Sequence, residues 1–373
     1  MSSTAPAWLS HARDRNWRCA EPSTQAWEFH RGLPGYAPTP LISLPSLAIE
    51  LGVAHVFAKD ESLRLGLPAF KALGASWAVH RALQGRTETG VATLVTATDG
   101  NHGRAVARFA RLAGHKASIV VPPGVHPDAV RAIADEGASV TAVTGDYDDA
   151  VAAAARLAAE TGGILVQDTA WSGYEEIPGW IVEGYTTLFA EVDDQLDAAG
   201  LAAPDLALVP AGVGSLLQGA LMHYRAKATD VQTTAIASVE PFAAACMAPS
   251  LSAGRPVTVT TQPTVMAGLN CGTPSTLAWP YIDQGLDAAI AVSERADVEA
   301  AYDLAALGVA AGPCGASGLA AARSALTGPG AAERRRHLGV DSDSIIVLVI
   351  TEGSAANPVP PLNTVRATPA PTG

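Results

Sequence analysis

Charge is scarce in this chain. Asp, Glu, Lys and Arg make up 16% of its 373 residues, against 48% for the hydrophobic set. A chain kept open by solvation needs the reverse balance, so this composition excludes extended disorder and implies a large buried core. Positive charge is scarcer still. Only 24 Lys and Arg stand against 36 Asp and Glu, leaving a net charge of −12. Such a surface repels phosphate backbones and anionic lipid, so neither nucleic acid nor membrane is an expected partner. No apolar run approaches the roughly 20 residues of a membrane span. The N-terminus lacks the basic-then-apolar order of a secretory signal, because Arg13, Arg15 and Arg18 are interleaved with polar residues. A cytoplasmic protein is expected. The four cysteines (Cys19, Cys246, Cys271, Cys314) are too few and too scattered for a disulfide scaffold or a metal cluster, and no metal site is expected.

Short β-rich runs alternate with Ala-rich helical stretches. Strands are predicted at 53–58, 92–96, 117–121, 139–143 and 164–167, and again at 206–209, 234–239 and 345–350. Helices are predicted over 70–83, about 103–113, 128–136 and 147–161. This alternation implies right-handed crossovers and a largely parallel α/β sheet covered on both faces. The run Ile345–Ile350 is apolar throughout, as the middle of such a sheet requires. The aromatic-rich stretch 167–188 breaks the rhythm. A two-lobed molecule is therefore expected: a discontinuous large domain (1–90 and 191–357), an inserted small α/β domain (91–190), and a disordered Pro-, Thr- and Ala-rich tail (358–373).

Four segments carry chemistry. Pro68-Ala69-Phe70-Lys71-Ala72-Leu73-Gly74-Ala75 places one lysine in an apolar run at a helix start. An ammonium stripped of hydration yields a more nucleophilic amine, although a lone lysine of this kind more often snorkels to water. Gly212-Val213-Gly214-Ser215-Leu216 follows a strand and opens a helix, as a phosphate cup or as a plain tight turn. It fits neither a dinucleotide fingerprint nor a Walker loop. Thr98-Asp99-Gly100-Asn101-His102-Gly103 joins a strand to a helix. Asn101 can donate to a phenolate there, Asp99 can carry a proton or cap the helix, and His102 reads as a packing or loop residue. Thr351-Glu352-Gly353-Ser354 follows the central apolar strand, where open α/β sheets place ligands.

A desolvated lysine, an anion cup, an asparagine turn and a hydroxyl at a strand end together suit pyridoxal 5′-phosphate. Their order resembles that of the tryptophan-synthase-β-like (fold type II) enzymes dependent on this cofactor, and within them the diaminopropionate ammonia-lyases. The matching segments are Phe29–Tyr36, Lys59–Ser62 with Ala69-Phe70-Lys71, Thr98–Arg104, Val166–Trp171 with Gly173-Tyr174, Ala211–Gly214, Val265–Gly272 and Thr351–Gly353. They span nearly the whole chain.

The resemblance implies a role for each position. Lys71 would hold the cofactor and take the α-proton. Asp99 would be a second acid/base serving the opposite stereoisomer. Asp168 would pair with the substrate's side-chain ammonium. Gly212, Val213, Gly214, Ser215 and Leu216 would take the phosphate, and Asn101 the ring hydroxyl. Thr351, or failing it Ser354, would meet the pyridine nitrogen. Cys246 and Cys271 resemble a disulfide pair of the family, and a homodimer is implied. The reaction implied is α,β-elimination from 2,3-diaminopropionate, D or L, to pyruvate and two ammonia. Two departures keep a β-eliminating or β-replacing enzyme or a dehydratase open, acting on serine, threonine, O-acetylserine or a specialised amino acid. Pro68 stands where a polar residue is expected, and Ser354–Pro358 lacks an acidic residue.

Overall fold

The computed structural model of the protein describes residues 7–14, 16–87, 89–98, 100–226 and 234–365. Its strands, in chain order, are β1 (Trp8–Ser10), β2 (Leu41–Ser43), β3 (His55–Asp60), β4 (Thr93–Ala97), β5 (Lys116–Val121), β6 (Ser139–Ala142), β7 (Ile164–Leu165), β8 (Leu206–Pro210), β9 (Ala235–Pro241), β10 (Ala288–Val292) and β11 (Ile345–Ile350). They form two sheets. The larger runs β1-β10-β9-β8-β11-β3-β2, the smaller β6-β5-β4-β7.

All six side chains of β11 are buried, and the strand lies parallel between β3 and β8. Its lack of any polar alternation is what burial on both sheet faces demands. The five inner strands of the large sheet are parallel. Only β1 and β2 at its edges run antiparallel, against β10 and β3. The small sheet is parallel throughout. The α/β class predicted from alternation is thus the observed one. Three strands carried too little signal: β1 and β2 have three residues each, and β10 reads Ala-Ala-Ile-Ala-Val, which helices also accept.

The small sheet is drawn wholly from residues 93–165. The helix Lys71–Gln84 carries the chain from β3 out to it, and the helix Glu176–Ala198 carries it back to β8. These two helices pack on each other, and Glu176–Ala198 also packs on the helix Ser215–Tyr224. Their crossing depends on two glycines. A Cβ on Gly184 would meet the Leu73 carbonyl oxygen at 2.6 Å and the Gly74 Cα at 2.8 Å. A Cβ on Gly74 would meet Tyr185 Cε1 at 2.5 Å. Backbone touches backbone there, which sets Tyr185 close beside the start of the Lys71 helix.

Behind β3 lies a buried polar network. Lys59 Nζ donates to Glu191 at 2.6 Å, and Arg64 pairs with Glu61 at 2.6 Å and with Glu191 at 2.7 Å. Two cations face two anions, so no net charge is buried. The network ties the loop leading to Lys71 onto the returning helix. No helix among the described residues is long and apolar enough to cross a membrane. The tail expected to be disordered from 358 is ordered over its first part. Leu362–Thr364 form a 3-10 turn, and the Tyr302 hydroxyl donates to the Pro360 carbonyl at 3.3 Å. Residues 366–373 lie outside the described residues. Proline-rich composition limits helix and strand, but it does not prevent packing against a neighbouring helix.

Candidate active site

The site is assembled at the C-terminal end of β11. Just past that strand, the Thr351 carbonyl accepts from the Phe70 amide at 3.0 Å, and the Gly353 amide donates to the Pro68 carbonyl at 3.1 Å. These bonds clip the start of the Lys71 helix to the end of the central strand. Pro68 is used here through its carbonyl, so its missing N–H costs nothing. The departure noted in the sequence is thereby accommodated.

Lys71 Nζ donates to Asp168 Oδ2 at 2.6 Å and lies 5.3 Å from the Phe70 ring centroid and 6.0 Å from that of Tyr185. The expectation of an isolated amine in apolar surroundings is corrected on this point. The surroundings are aromatic, but the amine is one half of an ion pair. Its side chain keeps 24% of its exposure and that of Asp168 only 10%, so the lysine is the partner that reaches the open space. Burial works against ionisation of Asp168, yet His102, whenever its ring is protonated, and Lys71 hold its carboxyl down to about 2. The other oxygen, Oδ1, accepts from the Gln167 side-chain Nε2 at 3.2 Å. Burial keeps Tyr185 a neutral phenol, with a pKa pushed up to about 12.

The Gly212–Leu216 turn sits directly against this pair, because the Ser215 hydroxyl donates to the Asp168 carbonyl at 3.2 Å. Gly214 precedes the helix Ser215–Tyr224 with φ +96°, a left-handed backbone that favours glycine. The amides of Gly212, Val213, Gly214, Ser215 and Leu216 donate to no backbone carbonyl among the described residues. They form the open end of a helix, suited to an anion.

Asn101 begins the helix Asn101–Leu112, and its Nδ2 donates to Glu352 Oε2 at 2.7 Å. Sequence reasoning gave Glu352 no role; its only signal was its place beside Thr351. Thr351 Oγ1 is buried and has no hydrogen-bond partner among the described residues. Ser354 stands farther out, half-buried, its amide bonded to Ala310 at 2.8 Å. Of the two hydroxyls considered for a ring nitrogen, Thr351 is therefore the buried and open one. Asp99 lies outside the described residues. Beside it, Thr98 Oγ1 accepts from the amides of Gly100 at 3.0 Å and Gly103 at 3.1 Å. His102 is the second residue of the helix Asn101–Leu112 rather than a loop residue; it is buried, and its Nε2 bonds the Val166 carbonyl at 2.8 Å. Its other ring nitrogen, which no sequence pattern marked, lies 3.9 Å from Asp168.

Glu240, at the end of β9, caps the turn that follows it. It accepts from the Cys246 amide at 2.8 Å and the Met247 amide at 3.1 Å. Burial pushes its carboxyl up to about 8. The disulfide that the resemblance implied for Cys246 and Cys271 is not formed, and all four cysteines are thiols.

Pyridoxal phosphate fits these groups. Lys71 offers the amine for its aldehyde, the open amides of 212–216 suit its phosphate, and the unpartnered Thr351 hydroxyl suits its ring nitrogen. The comparisons agree with that fit. The chain is 34% identical over 352 residues to the diaminopropionate ammonia-lyase of Escherichia coli K12, covering 88% of this chain and 87% of that one. It is 38% identical over 276 residues to the diaminopropionate ammonia-lyase of Salmonella typhimurium, covering 68% of each. The crystal structure of the Escherichia coli enzyme in complex with an aminoacrylate-PLP azomethine reaction intermediate superposes with a TM-score of 0.82 at 32% identity, over 94% of this chain and 95% of that one. Residues 33–352 match the sequence model described as "Pyridoxal-phosphate dependent enzyme", and with the amine, the anion turn and the strand-end hydroxyl already gathered at one sheet end, the chain belongs to that family of enzymes.

Proposed function

We propose that the protein is a diaminopropionate ammonia-lyase, removing both amino groups of 2,3-diaminopropionate as ammonia and leaving pyruvate. The observation that carries this reading is the buried, ionised Asp168 held 2.6 Å from Lys71. Among the candidate substrates, diaminopropionate places a second cation on the β-carbon, whereas serine, threonine and O-acetylserine place a neutral oxygen there. A buried carboxylate favours the cationic side chain, because an anion in a dry site needs a counter-charge.

The bound cofactor supplies an electron sink for the pair left when the α-proton departs. Lys71 is positioned to carry the cofactor and, as a free amine, to take that proton. Asp168 holds the β-ammonium and orients it for departure. The amides of 212–216 anchor the phosphate, and Asn101 is assigned to the ring hydroxyl. Thr351 supplies a neutral hydrogen bond at the ring nitrogen, which restrains charge delocalisation and suits elimination over transamination. Asp99 is assigned, through the family resemblance, as the acid/base serving the second stereoisomer. The relatives named above support the substrate, and the resemblance supports a homodimer in the cytoplasm.

The test is an incubation of the purified holoenzyme with D- and L-2,3-diaminopropionate, serine, threonine and O-acetylserine, following pyruvate through lactate dehydrogenase. Pyruvate from diaminopropionate in clear preference to the others is expected. Release from serine or O-acetylserine alone would overturn the substrate assignment and leave the cofactor chemistry standing.

A further inference from the structure

His102 is buried, and its Nε2 faces the Val166 carbonyl at 2.8 Å. A carbonyl only accepts, so Nε2 carries the hydrogen and Nδ1 of the neutral ring carries a lone pair. That Nδ1 has no hydrogen bond among the described residues. It points at Asp168 Oδ2, 3.9 Å away, the same oxygen that takes the Lys71 ammonium at 2.6 Å. A buried lone pair facing a carboxylate is unfavourable unless a proton enters between them. Two bases therefore stand on either side of one carboxylate oxygen, and either can supply its counter-charge.

We propose that His102 is the reserve counter-charge of Asp168, taking a proton at Nδ1 when the Lys71 amine is committed to the cofactor and giving it up when a substrate ammonium reaches the carboxylate. The inference rests on the reading of Asp168 as the ammonium-binding group. The protons balance. Attachment of an aldehyde carbon to Nζ removes three hydrogens from the ammonium. Two leave with the aldehyde oxygen as water, and the third is the proton that Nδ1 receives. When a substrate brings its own ammonium, the N–H bond at Nδ1 breaks and the proton returns to solvent. His102 is thus a positioning residue acting through Asp168.

The groups facing His102 are few. Asp168 favours its charged form, while Lys71 and burial oppose it, and the Val166 carbonyl favours it through Nε2. Tyr174 and Tyr185, which also feel Asp168, are both pushed upward and stay neutral through the physiological range. Neutralising Lys71 therefore removes an opposing charge and leaves Asp168 unanswered, and both changes favour protonation of the imidazole.

The first test does not depend on catalysis. Full-length protein with labelled histidine is titrated by NMR, the His102 signal being assigned by its loss in His102→Gln. The midpoint is expected to lie about one unit or more higher in cofactor-loaded protein and in Lys71→Met than in cofactor-free wild type. Equal midpoints in all three overturn the inference. The second test uses His102→Gln, whose amide can still donate to Val166 but cannot hold a proton toward Asp168. Folding and cofactor retention are checked by circular dichroism and by the bound-cofactor absorbance. Because the Nδ1 proton competes with the substrate ammonium for Asp168, the acid limb of kcat/KM for diaminopropionate is expected to move to lower pH by about one unit in this variant. A purely structural histidine would lower kcat/KM equally at every pH, and that result also overturns the inference. If wild type releases no pyruvate from diaminopropionate, the substrate reading fails and the titration alone decides the role of His102.

Discussion

At the scale of single residues, the site depends on how Asp168 stays charged while nearly buried. Its 2.6 Å bond to Lys71 and the Gln167 side-chain amide on its other oxygen replace the water it has lost. In the proposed reaction the same carboxylate meets the cationic substrate once Lys71 is engaged elsewhere. Asp168→Asn keeps the shape and removes the charge. It is expected to lower kcat/KM for 2,3-diaminopropionate by about 10- to 100-fold, the range for losing one charge-assisted hydrogen bond. Any residual turnover of serine should fall less. Equal losses on the two substrates would show that Asp168 does not read the side-chain ammonium. Lys71 has its own check. Borohydride reduction of the holoenzyme and peptide mapping is expected to place the pyridoxyl group on residue 71, and a label elsewhere would overturn the assignment.

At the scale of elements, two helices decide where Lys71 stands. The helix that starts with it crosses the helix Glu176–Ala198 at Gly74 and Gly184, and the crossing is close because neither position carries a side chain. Gly184→Ala would place a methyl against the Leu73 carbonyl and the Gly74 Cα. Neither is the flexible end of a side chain, so the helices must separate. A loss of about 1–3 kcal/mol in urea unfolding is expected, together with weaker retention of the cofactor. Unchanged stability and retention would mean that the crossing is looser than its geometry indicates. The network of Lys59, Glu61, Arg64 and Glu191 works alongside this crossing, fixing the loop before Lys71 to the same returning helix.

At the scale of the whole molecule, buried titratable groups set how stability follows pH. Asp168 and Glu136 are held down to about 2, and Glu191 is also lowered, by their Arg and Lys partners against the cost of burial. A carboxyl lowered by folding contributes stability above its unfolded value near 4 and loses it as pH falls toward the folded value. His30, lowered to about 4 chiefly by burial, acts in the same direction, because the unfolded imidazole binds its proton first. Glu240, raised to about 8, and Asp297, raised well above its ordinary value, act the other way, losing stability as pH rises above about 4. Below pH 4 the destabilising trend is no longer offset. The melting temperature is expected to drop steeply from pH 4 to pH 2.5, followed by circular dichroism. A flat profile across that window would contradict the ion pairs described here.

Much of this was legible in the chain. The continuous apolar run Ile345–Ile350 could only be a strand covered on both faces, and the alternation of β-rich and Ala-rich runs required a parallel sheet with helical crossovers, because each element must bury its apolar face. The motifs that placed Lys71, Asn101, Gly212–Leu216 and Thr351 at the ends of such elements are local, and turn chemistry with positive-φ glycine is a local property. Pairings across long separations were not legible. Nothing in spacing says that Lys71 meets Asp168, that Asn101 meets Glu352 or that His102 faces the same carboxylate as Lys71. Nor does spacing say that Pro68 serves through its carbonyl, or that Gly74 and Gly184 touch. Those contacts exist only because two helices carry the chain out to a second sheet and back. The amino-acid order thus determined which pieces form and what chemistry each can offer, since propensity and patterning act over a few residues. Tertiary packing alone decided which charges share a dry pocket, since that depends on distances no local pattern encodes.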